Sequence, residues 1–592
     1  MLAAQAGVPP EFIRHLIAMG VDPEQRDVDG RRALEHALGV GRWPLVAVLD
    51  PAYPLPANIA EGLSEGHFEK TPRETLREAL LAGRLESAEA MLRLGAGPDA
   101  TSMASLLLEF AGDGDVPRLD WLLRHGADAD VRPDGEDSVL FHLLGRGGHA
   151  AAALQHLLDR GQPVGGRGGL ARWLQACLDA EHSTRGFEQL ALALLERGAD
   201  AFGPAATDPP LGLAIRLGWL RLAESLLAFG VDPNARDGRG HTALHCAATL
   251  GREGALRVLI RHGASPALSA PDGQTPLGLA LAADRRELSH WLEWRQWQLP
   301  GRALQAADLP SAAMAGDAEA VLRLLELGLP VDGADAQGCT ALLRAAGGGH
   351  DVVVALLLEH GADTTKAART GATPLSAAIS MRHVGVVDRL LRAGAPPDLP
   401  LPGDVTPLML AAALGQPELI SRLLACGADV QARDAQGLGP LHCAALHGFS
   451  SRDRQRVLAL MDVLLMADVA ADAASDAGQT PLLLLLGARA EPGTSCDEDV
   501  LLAALDRLLA EDVALDAQDA RGFTPLHLAA LHGLPRIVQR LLREGANRQA
   551  RDTLGRTPHD IAVLRGFVDV AAEFEPARGA PSLARFLRDR TP

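Results

Sequence analysis

Between Asp519 and Arg551 the chain reads DARGFTPLHLAALHGLPRIVQRLLREGANRQAR. The rest of the sequence is this stretch repeated, eroded or padded. Asp519-Ala-Arg-Gly522 has the make-up of a tight turn: the aspartate can accept bonds from nearby backbone N–H groups, and the glycine supplies a positive φ. Thr524 then stands at an N-cap, with Pro525 at the first helical position, where its missing N–H costs nothing. Leu526, Leu528, Ala529 and Ala530 predict a short helix closed by Gly533. Ile537, Val538, Leu541 and Leu542 recur at helical spacing and predict a second helix ended by Gly545. Such a pair carries small residues on one side and branched ones on the other. It cannot bury both faces alone, so it must stack on copies of itself.

The copies are present. The slot of Thr524 recurs 33 residues later at Thr557. Earlier it is held by Thr242, Thr275, Thr340, Thr373, Thr406 and Gly439, at steps of 33, then 65 across one worn unit, then 33, 33 and 33. A fixed period of this length marks a stacked array. HTALHCAA (241–248), CTALLRAA (339–346), ATPLSAAI (372–379), VTPLMLAA (405–412), GPLHCAA (439–445) and FTPLHLAA (523–530) resemble the ankyrin-repeat signature. So do the closing tags HGAD (125–128 and 360–363) and CGAD (426–429). The resemblance spans essentially the whole chain and is faint before Pro209. It implies an all-α ankyrin-repeat solenoid of about 16–17 helix-turn-helix repeats joined by β-turn or hairpin loops.

Length and composition agree with that reading. At 592 residues the chain is too long for one core, a limit that solenoids escape because each repeat touches only its neighbours. Hydrophobic content of 47% with 3% aromatics suits small Ala- and Leu-rich helices. A formal charge of −19 argues against nucleic acid as a partner, since phosphate binding needs clustered cations. Lysine occurs only at Lys70 and Lys366, a bias toward arginine that we take as the trace of a GC-rich, bacterial coding sequence. No apolar run is long enough to span a membrane and no signal peptide is evident, which predicts a cytoplasmic location and no membrane contact. Cys177, Cys246, Cys339, Cys426, Cys443 and Cys496 are scattered singly, as reduced packing thiols would be.

Taken in order, residues 1–208 read as degenerate repeats, the first of them incomplete because its threonine slot would precede Met1. That start makes a fragment of a longer protein the expected alternative, with this chain the recognition part of a membrane-anchored or secreted effector whose activity lies upstream. Pro51, Pro54 and Pro56 open a loop lasting to about Lys70. Regular repeats follow over 209–300 and end in RRELSHWLEWRQWQLPGR (285–302). There Trp291, Trp294 and Trp297 are spaced to share one face of a helix, either as a bulky plug in the stack or as an exposed anchor for a partner. A joint near Pro300 begins a second sub-array, 301–592. Its two insertions, FSSRDRQ (449–455) and ARAEPGTSCDEDV (488–500), are expected to lengthen turns between helices. PHDIAVLRGFVDVAAEFE (558–575), with charged outward positions, and a short final helix in PSLARFLRDRTP (581–592) have the character of a C-terminal cap.

Nothing in the sequence points to catalysis, a metal or a cofactor. His245, His442 and His527 recur in one slot, and the resemblance implies that this histidine bonds backbone between repeats. Asp128, Asp130 and Asp134 miss the calcium-loop spacing and are expected to be turn residues. Cys496, beside Asp497, Glu498 and Asp499, has no paired base, and acidic neighbours raise a thiol pKa. Asn234 occupies the slot that is hydroxylated in some members of the family. The resemblance further implies a monomer that binds a protein partner through a concave face of turn tips and first helices. The slots so implied hold Arg239 and His241; Gln337; Gln436, Leu438, Leu446 and His447; Arg521, Phe523, Leu531 and His532; and Leu554 and Arg556. From Gln436 onward they combine an apolar centre with a polar rim, as a binding patch needs. Trp291, Trp294 and Trp297 form a second candidate patch.

Overall fold

The computed structural model describes residues 2–6, 8–54, 71–132, 137–162, 164, 168–202 and 208–574. Among them seventeen helix pairs follow one another, with isolated bridges in place of strands. The all-α solenoid implied by the motif is the observed architecture. Pro56 to Lys70, Asp134 and PSLARFLRDRTP lie outside the described residues.

The cause is local and repeats. The Asp519 carboxylate accepts from the N–H groups of Arg521 and Phe523, each at 2.9 Å, and Gly522 turns the chain with a φ of 76°. Asp237, Asp335, Asp434 and Asp552 fold their tips in the same way. Small bridges such as Arg236 with Thr242 and Ala334 with Thr340 close the hairpin beneath. The threonine then caps the first helix: the Thr340 hydroxyl accepts from Leu343 N at 3.2 Å, and that of Thr406 from Met409 N at 3.3 Å. A nine-residue second helix follows, as in Leu220–Ala228, Asp351–Glu359 and Pro535–Arg543.

First helices pack on first helices and second on second, so each pair's two apolar sides are covered by its neighbours. Leu526, Ile537, Val538 and Leu541 are wholly buried by this arrangement. Leucines of this size contribute about 1.5–3 kcal/mol each when removed from water. A polar ladder pins the hairpins together. Carboxylates of Asp332, Asp398, Asp472 and Asp516 accept from the N–H of Asp363, Asp429, Ala514 and Asn547 in the next repeat. Asn234 fills the same role, accepting from Ser265 N at 2.9 Å and donating to Gly263 O at 3.2 Å.

The described residues form two compact units. One holds everything described up to Glu293, with Leu299–Ala303; the other holds Trp294–Gln298 and everything described from Leu304 onward. In the first unit, helix Leu2–Ala6 lies against both Ala33–Gly39 and Leu85–Arg93, and Ile13, Leu34, Leu45 and Val46 form a cluster of their own. Caps there come from other residues: Thr71 with Glu74, Asp99 with Ser102, and Ser138 with Phe141.

Three expectations need correction. The tryptophans do not share a helix face, because the helix ends at Leu292 and Glu293 is already extended. The insertion at 449–455 lengthens helices more than the turn: the first helix runs through Ser450 and the second starts at Arg454. The last described pair, Pro558–Arg565 and Val568–Phe574, carries exposed Val563, Leu564 and Val568 among its outward positions, so they are not uniformly charged.

Candidate protein-interaction surface

The recurring histidines are structural. In each, Nδ1 faces the start of its own helix and Nε2 faces the hairpin of the next repeat. His527 Nδ1 accepts from Thr524 N at 3.1 Å, and Nε2 lies 3.1 Å from Arg556 O. His245 repeats this with Thr242 and Gln274 O, and His442 with Gly439 and Gln479 O. Nε2 therefore carries the proton, and burial, the larger influence, holds all three pKa values below the usual imidazole value despite the carbonyl partner. This is a neutral ring used as a staple.

The candidate binding slots divide by exposure. Arg239, Gln337, Gln436 and Arg521 are exposed at turn tips, and Leu554 is 72% exposed. His241, Leu446, His447, Leu531, His532 and Arg556 are half-buried on first helices or hairpin edges. Leu438 and Phe523 do not belong to an accessible patch: they are only 4% and 7% exposed. Each follows the tip glycine, and Phe523 is stacked on His527 with the Arg521 guanidinium 4.6 Å from its ring centre. The tips are stiff. Arg344 binds the Asp335 carboxylate at 2.7 Å and the Gln337 side-chain carbonyl at 2.6 Å. Burial would raise the Asp335 carboxyl, yet Arg344 and the N–H groups of Cys339 and Gln337 hold it below the usual range. Arg556 and Asp552 repeat the pair at 2.8 Å.

The second insertion departs most from the pattern, and no motif in it announced that. The first helix is cut to Pro481–Leu485, and the following residues fold over the face of tips and first helices. Ala488 O accepts from Arg521 at 2.9 Å, Gly487 O pairs with His532 Nε2 at 3.2 Å, and Arg489 donates to the Gln436 and Gln479 side chains. Phe449, at the end of the lengthened helix, reaches past the short one to meet the His532 ring at 5.2 Å. Cys496 is half-buried, and burial first, then Glu498, pushes its thiol pKa up. Asp128 is a turn residue that accepts from Asp130 N.

In the first unit an open groove of about 600 Å³ runs along first helices, lined in part by Phe141, Arg172, Gln175, Asp179 and Asp208. Its polar groups are matched locally: Arg172 with Asp137, Gln175 with Asp179, and Arg216 with Asp208. The tryptophans fall on different sides of the unit division. Trp291 is buried in the first unit, bonded to Glu253 and under Arg257. Trp297 is buried in the second, its indole N–H donating to the Ser311 hydroxyl and its backbone N–H to the Asp317 carboxylate. Trp294 is half-buried against Arg323. Two of the three are therefore core residues.

Comparison with known families agrees with this geometry. Models of ankyrin repeats match residues 211–293, 309–401 and 385–459, and 508–562. The chain belongs to the ankyrin-repeat family. Similar proteins include mouse ankyrin repeat and SOCS box protein 16, 36% identical over 110 residues, which are 17% of this chain and 24% of that protein. Mouse NF-kappa-B inhibitor delta is 40% identical over 76 residues, 12% of this chain and 23% of that one. A putative palmitoyltransferase ZDHHC13 of Danio rerio is 32% identical over 155 residues, 25% of this chain and 24% of that one. The chain thus spans about a quarter of the length of these relatives. Ankyrin repeats are an interaction module, and no described helix is long and apolar enough to cross a membrane.

Proposed function

We propose that this ankyrin-repeat chain is a non-enzymatic scaffold that binds a partner protein through the face of turn tips and first helices. One observation carries the reading: exposed, dissimilar side chains (Arg239, Gln337, Gln436, Leu554) stand on tips whose backbones are fixed by buried or half-buried aspartates. Preorganised loops lose little entropy on binding, so side-chain differences convert into affinity. The local pairing of polar groups in the 600 Å³ groove speaks against a hidden catalytic site there. The net charge of −19 supports a protein partner over nucleic acid. We read the chain as a monomer from the family resemblance, and as bacterial and cytoplasmic from the arginine bias and the lengths of its apolar runs.

A photo-crosslinking amino acid placed at Gln436 or Leu554, and as a control at Val352 on a second helix, tests the face. Crosslinks to one protein at the tips and none at Val352 are expected. Equal crosslinking at all three positions would overturn the assignment.

A further inference from the structure

Interior repeats show what the last described one lacks. Two and six residues after the capping threonine stand Leu342 and Ala346, Leu375 and Ile379, Leu408 and Ala412, and Leu526 and Ala530. All eight are at most 2% exposed, between first helices packed on either side. Counted from Thr557, the same positions hold His559 and Val563. The His559 side chain is 41% exposed and Val563 56%, while Ile561 and Ala562 between them stay buried. Helix Pro558–Arg565 therefore keeps the face packed on Pro525–His532 and lacks cover on the other. Leu281, at the same position in the last threonine-led pair of the first unit, is exposed too, so exposure there marks the end of a unit.

The residue three after the threonine sets the two ends apart: Gly278 in one, Asp560 in the other. In interior repeats that position reaches the following hairpin, where His245, His442 and His527 each bring Nε2 to a carbonyl. The ring donates a proton to that carbonyl and a carboxylate cannot, so Asp560 is unsuited to a further regular repeat and suited to a donor. Its Oδ2 accepts from the Thr557 N–H and hydroxyl, and its Oδ1 faces His559 Nδ1 at 4.0 Å. Spacings of three and four put His559, Asp560, Val563 and exposed Leu564 side by side on one helix. The Phe574 ring stands edge-on to His559 at 6.4 Å. Residues 558–574 carry Asp560, Asp569 and Glu573 against Arg565, so their field is acidic.

The ordinary reading is an array end left in water, but such ends are polar where they cap a solenoid, and Val563 and Leu564 are not. A second copy docked end to end about a twofold axis would set Asp560 against Asp560. We propose that this chain's own residues 581–592, PSLARFLRDRTP, cover the open face. Leu583, Phe586 and Leu587 have the i, i+3, i+4 spacing of a single apolar stripe, which matches Val563 and Leu564. Arg585, Arg588 and Arg590 outnumber Asp589, a basic stretch in a chain of net charge −19, and a guanidinium is the donor that Asp560 can accept. The inference concerns the end of the array and does not rest on the scaffold reading of its tips.

The test places the photo-crosslinking residue benzoylphenylalanine at position 563 of the full chain, with position 352 as control. The expected product joins position 563 to the peptide holding 581–592 within one chain, and is absent from position 352. Products that join two chains, or none that contain 581–592, would overturn the inference. Hydrogen exchange checks it without altering the face. In a Leu583→Asp, Phe586→Asp variant the amides of 558–574 should exchange about tenfold faster or more. An Arg585→Gln, Arg588→Gln, Arg590→Gln variant should also exchange faster there, with less dependence on salt than the parent. Parental exchange in the Leu583→Asp, Phe586→Asp variant would overturn the proposal, whether or not a partner protein crosslinks at Gln436 and Leu554.

Discussion

Residues 71–144 and residues 519–574 build the same helix pair and join it differently. In the later stretch a threonine caps each first helix, and where histidine follows three residues on, it staples that cap to the next hairpin. In the earlier stretch Thr71, Asp99 and Ser138 cap equally well without a staple, and their helices bury Leu76, Leu107 and Leu143 as completely as Leu526 is buried later. The family motif is therefore one solution to capping and cross-repeat bonding. The apolar spacing and the two turns are what the fold itself requires.

The strongest way to break that comparison is to charge a buried position in the later stretch. Phe523→Glu places a carboxylate in a 7% exposed slot against His527, and should cost about 5 kcal/mol, with amide exchange rising across the last repeats. Leu438→Glu should act alike. If either variant keeps parental exchange rates, these side chains are accessible after all and belong to a binding patch.

A smaller change asks what the staple is worth. His527→Ala leaves the Arg556 carbonyl and the Thr524 N–H without their partner and should cost about 3 kcal/mol. Ser138→Ala removes only a cap and should cost about 1 kcal/mol. Equal losses, measured by denaturant unfolding, would mean that the histidine adds nothing to the cap.

Acid sharpens the same contrast. Burial, the largest influence on each, lowers the pKa of His442, His447, His527 and His532 in the second unit, and of His245 and His262 in the first. A folded-state pKa below the unfolded value of about 6.5 means that the unfolded chain takes up protons first. The stability is whole above that pH and is lost as pH falls below it, by at most about 1.4 kcal/mol per pH unit for each group. Thermal unfolding of the second unit should therefore shift down more than that of the first between pH 7 and pH 5. A His442→Gln, His527→Gln variant should flatten the shift, and an unchanged shift would place the titration elsewhere.

What could be read from sequence follows the same division. The period of 33 and the Asp-to-Gly tip needed only local chemistry, so the solenoid and its structural histidines were legible. Exposure was not, since whether Phe523 faces solvent depends on what packs around its tip. The tryptophans misled because the i, i+3, i+6 spacing carries meaning only inside a helix, and theirs ends at Leu292. Arg489 gave no signal, because its acceptors Gln436 and Gln479 come from hairpins 53 and 10 residues away.

The least effect is expected where the two insertion-bearing repeats leave their second helices. Elsewhere in the second unit glycine makes that turn, as Gly427 and Gly545 do with φ of 86° and 94°. Here Asp468 and Asp512 make it, with φ of 60° and 56°. A side chain in the left-handed region crowds its own carbonyl, and aspartate tolerates this mainly when its carboxylate finds a local donor. Neither carboxylate has a hydrogen-bond partner among the described residues, and both are exposed. Asp512→Gly should thus relieve the crowding, raising stability by about 0.5–1 kcal/mol even after the added entropy of the unfolded glycine. Gly545→Ala, which creates the same crowding in a regular repeat, should lower it by about 1 kcal/mol. Opposite signs from the two variants would trace both changes to one backbone conformation. If Asp512→Gly destabilises instead, unfolded-state entropy outweighs the strain, and the aspartates suit their turns as they stand.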